Sequence, residues 1–192
     1  STLNKLSTNT TRLNNKIDLM TEVIQAQQAY AGAAAVNQPV NIEKAIDETL
    51  GLFPELLKAE QISVQKELIS NLTLNLPKNK FLHTLTNLLK NSIQAHQSSS
   101  QSKDRYIKFK TEKNNGIIVL SISDNGCGIS KENLKRIFSH GFTTKQEGYG
   151  FGLHSCANYL EEMGASIEVS SNGEEKGTTF LISFPTSKGN SA

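Results

Sequence analysis

The sequence predicts an α+β protein with two layers: a mixed β-sheet covered by helices on one face, preceded by a long N-terminal helix. Two kinds of apolar spacing support this. Some segments alternate apolar and polar residues, which is typical of half-buried strands, and others repeat at three- and four-residue steps, which is typical of helices. Because strands and helices do not strictly alternate along the chain, we expect helices on one face of the sheet only.

The first segment is predicted to be a helix with one apolar stripe. Its stripe has alternating steps of three and four residues and consists of Leu3, Leu6, Thr10, Leu13, Ile17, Met20 and Ile24. Such a seam needs a second helix, from this chain or another, although packing on its own domain is the alternative. Gly32 is expected to end the helix, and "AAAVNQPVN" to be a linker. We therefore predict an arm over residues 1–36 and a mixed domain over residues 37–192.

The remaining elements follow from local signals. The segment "IEKAIDETLGLFPELLKAE" is predicted to be a helix interrupted at Pro54, and "PKNKFLHTLTNLLKNSIQAHQ" a helix that begins at a proline. "QISVQKEL" and "NLTLNL" are predicted strands. Hairpins are expected around Asn114-Asn115-Gly116 and within "ASIEVSSNGEEKGTTFLISFP". Between them, "GLHSCANYLEEMG" is a predicted helix that ends at Gly164.

Composition narrows the class of protein. The 192 residues carry a net charge of +2 without a long basic run, which argues against nucleic acid as the main partner. Cys127 and Cys156 do not form a CxxC pair, so free thiols in a reducing compartment are expected, with one disulfide as the alternative. No apolar run approaches the ~20 residues of a membrane span, so no membrane contact is expected. The chain starts inside a periodic pattern and reads as a piece of a longer protein.

Three polar or glycine-rich features indicate a site. His83, Asn87 and Asn91 recur every four residues on a leucine-rich helix, and amide oxygens there suit Mg²⁺, although a solvated helix face gives the same pattern. Asp124 ends a predicted strand before Gly126 and Gly128. Its carboxylate can accept from an exocyclic amine such as that of adenine, although an ordinary Asp-Asn-Gly turn is the alternative.

The third feature is the loop containing Gly148, Gly150 and Gly152, which leads directly into a helix. Its backbone amides and the helix N-terminus can bind an anion, and a flexible hinge is the alternative. The loop matches neither the G-x-x-x-x-G-K-[ST] motif nor the G-x-G-x-x-G motif. Just before it, "IFSHGFTTKQE" is predicted to be a mobile lid on which Lys145 faces phosphate.

Taken in order, these motifs resemble the catalytic, ATP-binding domain of sensor histidine kinases. The N box, first glycine box, F box and second glycine box follow one another, and "KGTTFLISFP" resembles the family's last strands. The resemblance covers roughly Asn41 to Pro185 and implies the Bergerat-type ATP-binding fold of the superfamily that also includes gyrase, mismatch-repair and heat-shock chaperone ATPases. It implies ATP binding by Asn87, Asn91, Asp124, Gly126, Gly128, Thr144, Lys145, Gly148, Gly150, Gly152, Leu153 and Thr178.

Within this set the resemblance assigns separate roles. Asn91 would coordinate Mg²⁺, with Asn87 near the phosphates. Asp124 would accept from the adenine amino group, and Thr178 would support that contact through water. Lys145 would meet the terminal phosphates. His83 is given no chemistry, and His140 and His154 are expected to be structural.

The resemblance also implies a protein-histidine kinase that passes phosphate to a response regulator receiver domain. The N-terminal segment resembles the second helix of the dimerisation and phosphoacceptor hairpin, which implies a homodimer of the full-length protein and a cytoplasmic location, with anchorage in the inner membrane left open. The preceding helix with its acceptor histidine is absent here, so no autokinase activity is expected from this fragment and no catalytic residue is assigned.

Two other classes remain as alternatives. The first is an ATPase that hydrolyses ATP to drive a conformational cycle. Hydrolysis requires a general base that activates a water molecule, usually a carboxylate on the N-box helix. The predicted N-box helix, "FLHTLTNLLKNSIQAHQ", contains no Asp or Glu, which counts against hydrolysis. The second is a module that senses nucleotide or dimerises through its helical arm.

Overall fold

The computed structural model describes residues 36–100, 104–145 and 150–185. The predicted N-terminal helix and its apolar stripe lie outside these residues. The helices are α1 (Ile42–Leu50), α2 (Pro54–Ala59), α3 (Lys78–Gln97), α4 (Lys131–Leu134) and α5 (Gly152–Glu162). The strands are β1 (Gln38–Asn41), β2 (Ser63–Glu67), β3 (Thr73–Leu76), β4 (Tyr106–Asn114), β5 (Ile117–Asp124), β6 (Ser166–Ser170) and β7 (Thr178–Pro185).

The strands form two sheets. Five of them make a mixed sheet in the order β2-β4-β5-β7-β6, in which β2 is parallel to β4 and every other neighbouring pair is antiparallel. The remaining two, β1 and β3, pair antiparallel as a separate small sheet. The mixed sheet, whose strands are joined partly by hairpins and partly through helices, agrees with the predicted α+β class.

One face of the five-stranded sheet carries the core. Buried residues alternate along β4, β5 and β7, so that every second side chain points into the protein. Helix α3 covers this face and packs against α1, α5 and β5. Its buried residues lie at helical spacing and are Phe81, Thr84, Leu85, Leu88, Leu89, Ser92, Ile93 and His96. The prediction of helices on one face is therefore confirmed.

The predicted hairpin between β4 and β5 is confirmed. Asn114 pairs with Ile117, which leaves Asn115 and Gly116 as a two-residue loop. Both loop residues have positive φ, at 48° and 78°, as a type I′ turn requires. This turn sets the register that places Asp124, at the far end of β5, opposite Ile107.

The predicted linker over residues 33–41 is partly wrong. Gln38–Asn41 form β1 and pair with β3, because this short segment finds partners more than thirty residues away in the chain. Asn41 also begins α1, since its side-chain oxygen accepts a hydrogen bond from the Lys44 amide at 2.9 Å. The predicted break at Pro54 is confirmed, because α1 ends at Leu50 and α2 begins at the proline.

Both cysteines have free thiols, so the disulfide alternative is wrong. Burial raises the pKa of the Cys156 thiol to about 12. Among the described helices, none combines the length and apolar character needed to cross a bilayer.

Candidate functional site

A buried carboxylate lies at the end of β5. Asp124 is only 5% exposed. One oxygen accepts a hydrogen bond from the Ser92 hydroxyl on α3, and the other accepts from the Gly126 amide, each at 3.0 Å. The carboxylate is thus held between the central helix and the glycine loop, and lone pairs remain on its oxygens for a further donor.

Burial raises the pKa of Asp124 above its ordinary value, because removal from water disfavours the charged form. The hydrogen bonds from Gly126 and Ser92 oppose this shift. One helical turn beyond Ser92, His96 is also buried and contacts the Tyr106 carbonyl through Nε2 at 3.1 Å. Burial lowers the pKa of His96, which favours a neutral ring beside the carboxylate.

The glycines after Asp124 allow very close backbone approach. A Cβ at Gly126 would lie 2.7 Å from both the carbonyl carbon and the Cβ of Ala95 on α3. A Cβ at Gly128, which has φ +67°, would lie 2.1 Å from the Gly173 carbonyl oxygen. These glycines therefore bring the strand end against the helix and against the β6–β7 loop.

The β6–β7 loop, residues 171–177, holds the glycine segment in place from the other side. The Glu175 amide donates to the Cys127 carbonyl at 2.7 Å, and its carboxylate accepts from the Ser99 hydroxyl at 2.6 Å. The Ser171 hydroxyl oxygen accepts from the Ile129 amide at 3.0 Å. These contacts join the end of α3, the glycine segment and the β6–β7 loop into one connected structure around Asp124.

Thr178 lies opposite Asp124 in the sheet register, and its side chain is also buried. A hydrogen bond from its backbone is among the influences that lower the pKa of Asp124. Thr178 and Asp124 therefore lie side by side at this end of the sheet.

On either side of Ser92 in the sequence of α3, two polar side chains meet the lid. The Lys145 ammonium donates to the Asn91 side-chain oxygen at 2.8 Å and also to Gln94. Two amide oxygens thus face one cationic group. Lys145 and its neighbour Thr144 are exposed at the lid's surface.

The other member of the stripe faces helix α5. The Asn87 amide nitrogen lies 2.6 Å from His83 Nε2. A Cβ at Gly152 would lie 3.1 Å from the Asn87 side-chain oxygen, so glycine at the start of α5 leaves room for this amide. Leu153, the next residue, packs against the hydrophobic core.

The lid is anchored at its base. The Gly141 amide donates to the Gly150 carbonyl at 3.2 Å, and a Cβ at Gly150 would lie 2.4 Å from the Gly141 carbonyl carbon. His154 Nδ1 lies 3.0 Å from the Phe138 carbonyl oxygen, and the His140 and His154 rings are 5.2 Å apart. Of the predicted glycine loop, Gly150 and Gly152 are described, whereas Gly148 lies outside the described residues.

Sequence reasoning missed several residues of this site. Ser92 is a polar residue on the buried face of an amphipathic helix. Because buried polar side chains are normally hydrogen-bonded, its position in the sequence could have indicated a polar partner in the core. Gln94 lies three residues after Asn91 and could have been found by the same helical spacing. Asn125 gave no signal of its own. Its side-chain oxygen accepts from the Tyr106 amide at 2.8 Å, and its amide nitrogen donates to the Asp104 carbonyl at 2.9 Å.

A cation at the α3 stripe would depend on amide oxygens. Within residues 36–100, 104–145 and 150–185, no group of three or more His, Cys, Asp or Glu side chains could hold a metal ion. Asn91 and Gln94 nevertheless already face the Lys145 ammonium, and neutral oxygens are suitable ligands for a hard cation that keeps water and phosphate ligands.

The family model described as histidine kinase-, DNA gyrase B- and HSP90-like ATPase matches residues 77–188, more than half of the 192 residues. Among curated relatives, the chain is 35% identical over 102 residues to a probable C4-dicarboxylate sensor kinase from Bacillus subtilis (strain 168), covering 53% of this chain and 19% of the relative. It is 29% identical over 177 residues to sensor histidine kinase ZraS from Escherichia coli (strain K12), covering 91% of this chain and 35% of ZraS.

The chain thus spans about a fifth to a third of the length of these relatives. Among solved structures, the catalytic domain of histidine kinase ThkA is 26% identical, with a TM-score of 0.68 over 78% of this chain and 97% of that one. ThkA in complex with response regulator protein TrrA shares the fold, with 22% identity and a TM-score of 0.71 over 93% of this chain and 50% of that one. The chain therefore belongs to the histidine kinase-, DNA gyrase B- and HSP90-like ATPase family, and its described part has the fold of a sensor histidine kinase catalytic domain.

Proposed function

We propose that residues 37–192 bind Mg-ATP and form the catalytic domain of a protein-histidine kinase. In this proposal the γ-phosphoryl group passes to a histidine on another segment of the full-length protein and then to an aspartate on a response regulator. The observation that carries the proposal is the buried Asp124, held by Ser92 on the same helix that carries Asn91. One helix thus borders both a base-binding carboxylate and a phosphate-binding stripe.

Asp124 is proposed to bind the adenine amino group. Its fixed oxygens lie at the end of β5, where they accept from Ser92, Gly126 and the Thr178 backbone, and two carboxylate oxygens have about four lone-pair sites, which leaves one for a further donor. Thr178, buried opposite it, is proposed to support the same contact through a water molecule. Gly126 and Gly128 are proposed to serve the base site by letting the segment after Asp124 pack tightly against α3 and the β6–β7 loop, which fixes the carboxylate in place.

The phosphates are proposed to lie between the α3 stripe and the start of α5. Lys145 and Thr144 of the lid, the amides of Gly148, Gly150 and Gly152, and the N-terminus of α5 would face them. Leu153 would fix this turn of α5 through its packing on the core. Asn91 is the proposed Mg²⁺ ligand, with Gln94 beside it, and Mg²⁺ would supply neutralisation of phosphate charge when bound.

The protein's contribution to transfer is positioning and charge neutralisation. A histidine nitrogen from the full-length protein attacks the γ-phosphorus while the bond to the bridging oxygen breaks, and ADP leaves. Lys145 has to release Asn91 and Gln94 to contact the phosphates, because its ammonium occupies the space between those two oxygens. The lid would thereby change partners when nucleotide enters.

Residues 1–36 are proposed to be one helix of a dimerisation hairpin, which would make the full-length protein a homodimer. The similarity to ZraS covers 91% of this chain and so reaches beyond the residues matched by the family model. A solved structure shows histidine kinase ThkA in complex with response regulator protein TrrA, and this supports a receiver domain as the partner here.

The experiment that tests the proposal follows the γ-phosphate of labelled Mg-ATP. We expect nucleotide to bind, the isolated chain to stay unlabelled and little phosphate to be released. Label should appear on a second protein that carries the dimerisation hairpin of the full-length kinase, added in trans. Rapid release of inorganic phosphate would instead favour the hydrolytic ATPase. Binding without transfer to the added hairpin would favour a nucleotide-sensing module.

A further inference from the structure

A polar cavity lies on the face of the five-stranded sheet opposite to α3. Its volume is about 270 Å³, and Ser123 near the end of β5 is one of the residues that line it. Successive side chains of a strand point to opposite faces, and the Asp124 carboxylate contacts Ser92 on α3. The cavity and the candidate nucleotide site therefore lie on opposite sides of the same strand end.

The floor of this cavity is a row of side chains that crosses four strands. Lys108 on β4 pairs in register with Ser123 on β5, which in turn pairs with Thr179 on β7. Thr179 pairs with Ser170 on β6. Directly paired residues share one face of a sheet, and neighbouring strands lie about 4.8 Å apart. One ammonium and three hydroxyl groups are thus side by side at the cavity floor.

The walls come from the start of β4 and from the β6–β7 loop. Tyr106 lies two residues before Lys108, so its side chain is on the same face. Asn172 and Lys176 line the cavity from the loop. Lys176 is exposed, and its ammonium makes no ion pair with any residue that the structure describes. A second cationic group is therefore available beside the row.

The lining offers many more donors than acceptors to a ligand. The Thr179 hydroxyl donates to the Ser123 hydroxyl oxygen at 2.9 Å, so the hydrogen of Ser123 is left for another acceptor. Tyr106 adds a further hydroxyl. Asp124 is the one carboxylate among the described lining residues, and it faces α3. The cavity therefore suits a ligand that is rich in acceptor oxygens.

The ion pair that Lys108 already makes does not prevent it from binding a ligand. Its ammonium lies 2.6 Å from a carboxylate oxygen of Glu67, whose side chain is 56% exposed. An ion pair this exposed contributes little to stability, because water solvates both partners well when they separate. Lys108 can therefore exchange Glu67 for an anion that also accepts from the neighbouring hydroxyl groups.

We propose that this cavity is a phosphate-binding site, for the free ion or for the phosphate group of a small ester. Lysine binds phosphate as a point charge, and hydroxyl groups on different strands can donate to several phosphate oxygens at once. A planar carboxylate is better matched by the fork of arginine, and none of the described lining residues is an arginine.

The size of the cavity also indicates a small ligand. Its volume of about 270 Å³ is below the roughly 300–1,000 Å³ of pockets that hold drug-sized molecules, and such pockets are mostly apolar, whereas this one is lined by hydroxyl, amide and ammonium groups. The site is separate from the proposed nucleotide site and does not depend on nucleotide binding.

The test follows amide chemical shifts of the ¹⁵N-labelled chain by NMR at pH 7.5 and constant ionic strength. One titration uses inorganic phosphate and the other uses glycerol 3-phosphate, so that the tighter ligand identifies the free ion or an ester as the natural source. The variants are Ser123→Ala and Lys176→Gln. Ser121→Ala is the matched control, because Ser121 lies on the same strand and the same face and its hydroxyl donates to the Lys110 carbonyl at 3.4 Å.

In wild type we expect saturable shifts at Ser123, Thr179 and Lys176, with a dissociation constant in the millimolar range. Each variant should bind about five- to tenfold more weakly, since each loses one donor to a charged acceptor. Ser121→Ala should bind like wild type. Lys176 is exposed, so Lys176→Gln tests the site without disturbing the core.

Equal affinity in wild type and Lys176→Gln would overturn the site, and so would shifts that do not saturate. Shifts confined to Asn91 and Gly152 would also overturn it, because phosphate would then be at the candidate nucleotide site on the other face.

Discussion

Replacing Asp124 by Asn separates what this carboxylate does for nucleotide binding from what it costs the fold. The substitution keeps the shape and the hydrogen bonds to Ser92 and Gly126. The new side-chain oxygen can accept from the Gly126 amide, and the new amide nitrogen can donate to the Ser92 hydroxyl oxygen. The buried charge and one acceptor position are lost, which also leaves less capacity to accept from the Thr178 backbone.

We expect binding to weaken and the fold to become more stable. A hydrogen bond to a charged acceptor contributes about 1.5–3 kcal/mol, so losing the adenine contact should raise the dissociation constant of AMPPNP about ten- to hundredfold. Stability should rise because Asp124 is 5% exposed and burial dominates the shift of its pKa. Removing the charge removes that desolvation penalty.

The pH dependence follows from the direction of the shift. The folded-state pKa of Asp124 is raised above the unfolded value, so folding favours the neutral form. Wild type and Asp124→Asn should therefore have similar stability in acid below the unfolded pKa. The advantage of the variant should grow as pH rises and become complete above the folded pKa.

Urea unfolding from pH 3 to 8 and calorimetric titration with AMPPNP measure both effects. Asp104→Asn is the matched control, because Asp104 is exposed and its positive φ of 55° suits asparagine. It should change neither quantity. If Asp124→Asn binds AMPPNP with wild-type affinity, Asp124 does not contact the base. If its stability falls at pH 8, desolvation is not the dominant effect.

Three further substitutions test other parts of the structure. Asn91→Ala should weaken binding of Mg-AMPPNP about tenfold more than binding of metal-free AMPPNP, with exposed Asn158→Ala as the control; equal losses with and without Mg²⁺ would remove Asn91 as a metal ligand. Gly126→Ala should lower the free energy of unfolding, measured in urea, by about 2–4 kcal/mol, because the new Cβ would lie 2.7 Å from Ala95 and would strain the hydrogen bond from the Cys127 amide to the Ala95 carbonyl. An unchanged free energy of unfolding would mean that α3 shifts to accommodate the new methyl group at no cost. Phe81→Ala should cost about 3–5 kcal/mol, since Phe81 is fully buried and packs edge-on against Phe184 at 6.0 Å; a loss under 1 kcal/mol in the same assay would contradict this packing.

Local signals predicted the parts of the fold that depend on neighbouring residues. The Asn115-Gly116 turn, the break at Pro54 and the amphipathic α3 follow from backbone preference and periodicity, and all three are present. The position of Asp124 at a strand end followed from the same alternation. The roles of the site residues in nucleotide binding remain predictions.

Long-range pairing was not readable from the sequence. The β1 strand is four residues long, contains Pro39 and is defined by its partner β3, so its own residues gave only a linker pattern. Likewise, β2 pairs parallel with β4. The sequence between these strands indicates a helix, but it does not indicate that β2 will pair with β4 or that the two strands will be parallel. Gln94 and Ser92 were missed because a polar residue on a helix usually faces water, and only the packing of the lid and β5 gives these two another partner.

The close backbone contacts at Gly126 and Gly128 have a consequence for how genomes are searched. At both positions a Cβ would collide with atoms of the chain itself, at Ala95 or Gly173, with no nucleotide present. A descendant that had lost catalysis would still need these glycines to fold. The glycine motif is therefore a marker of ancestry and architecture. A survey that separates active kinases from inactive copies should instead compare side chains that can be substituted once selection for chemistry ends, such as Asn91 and Lys145.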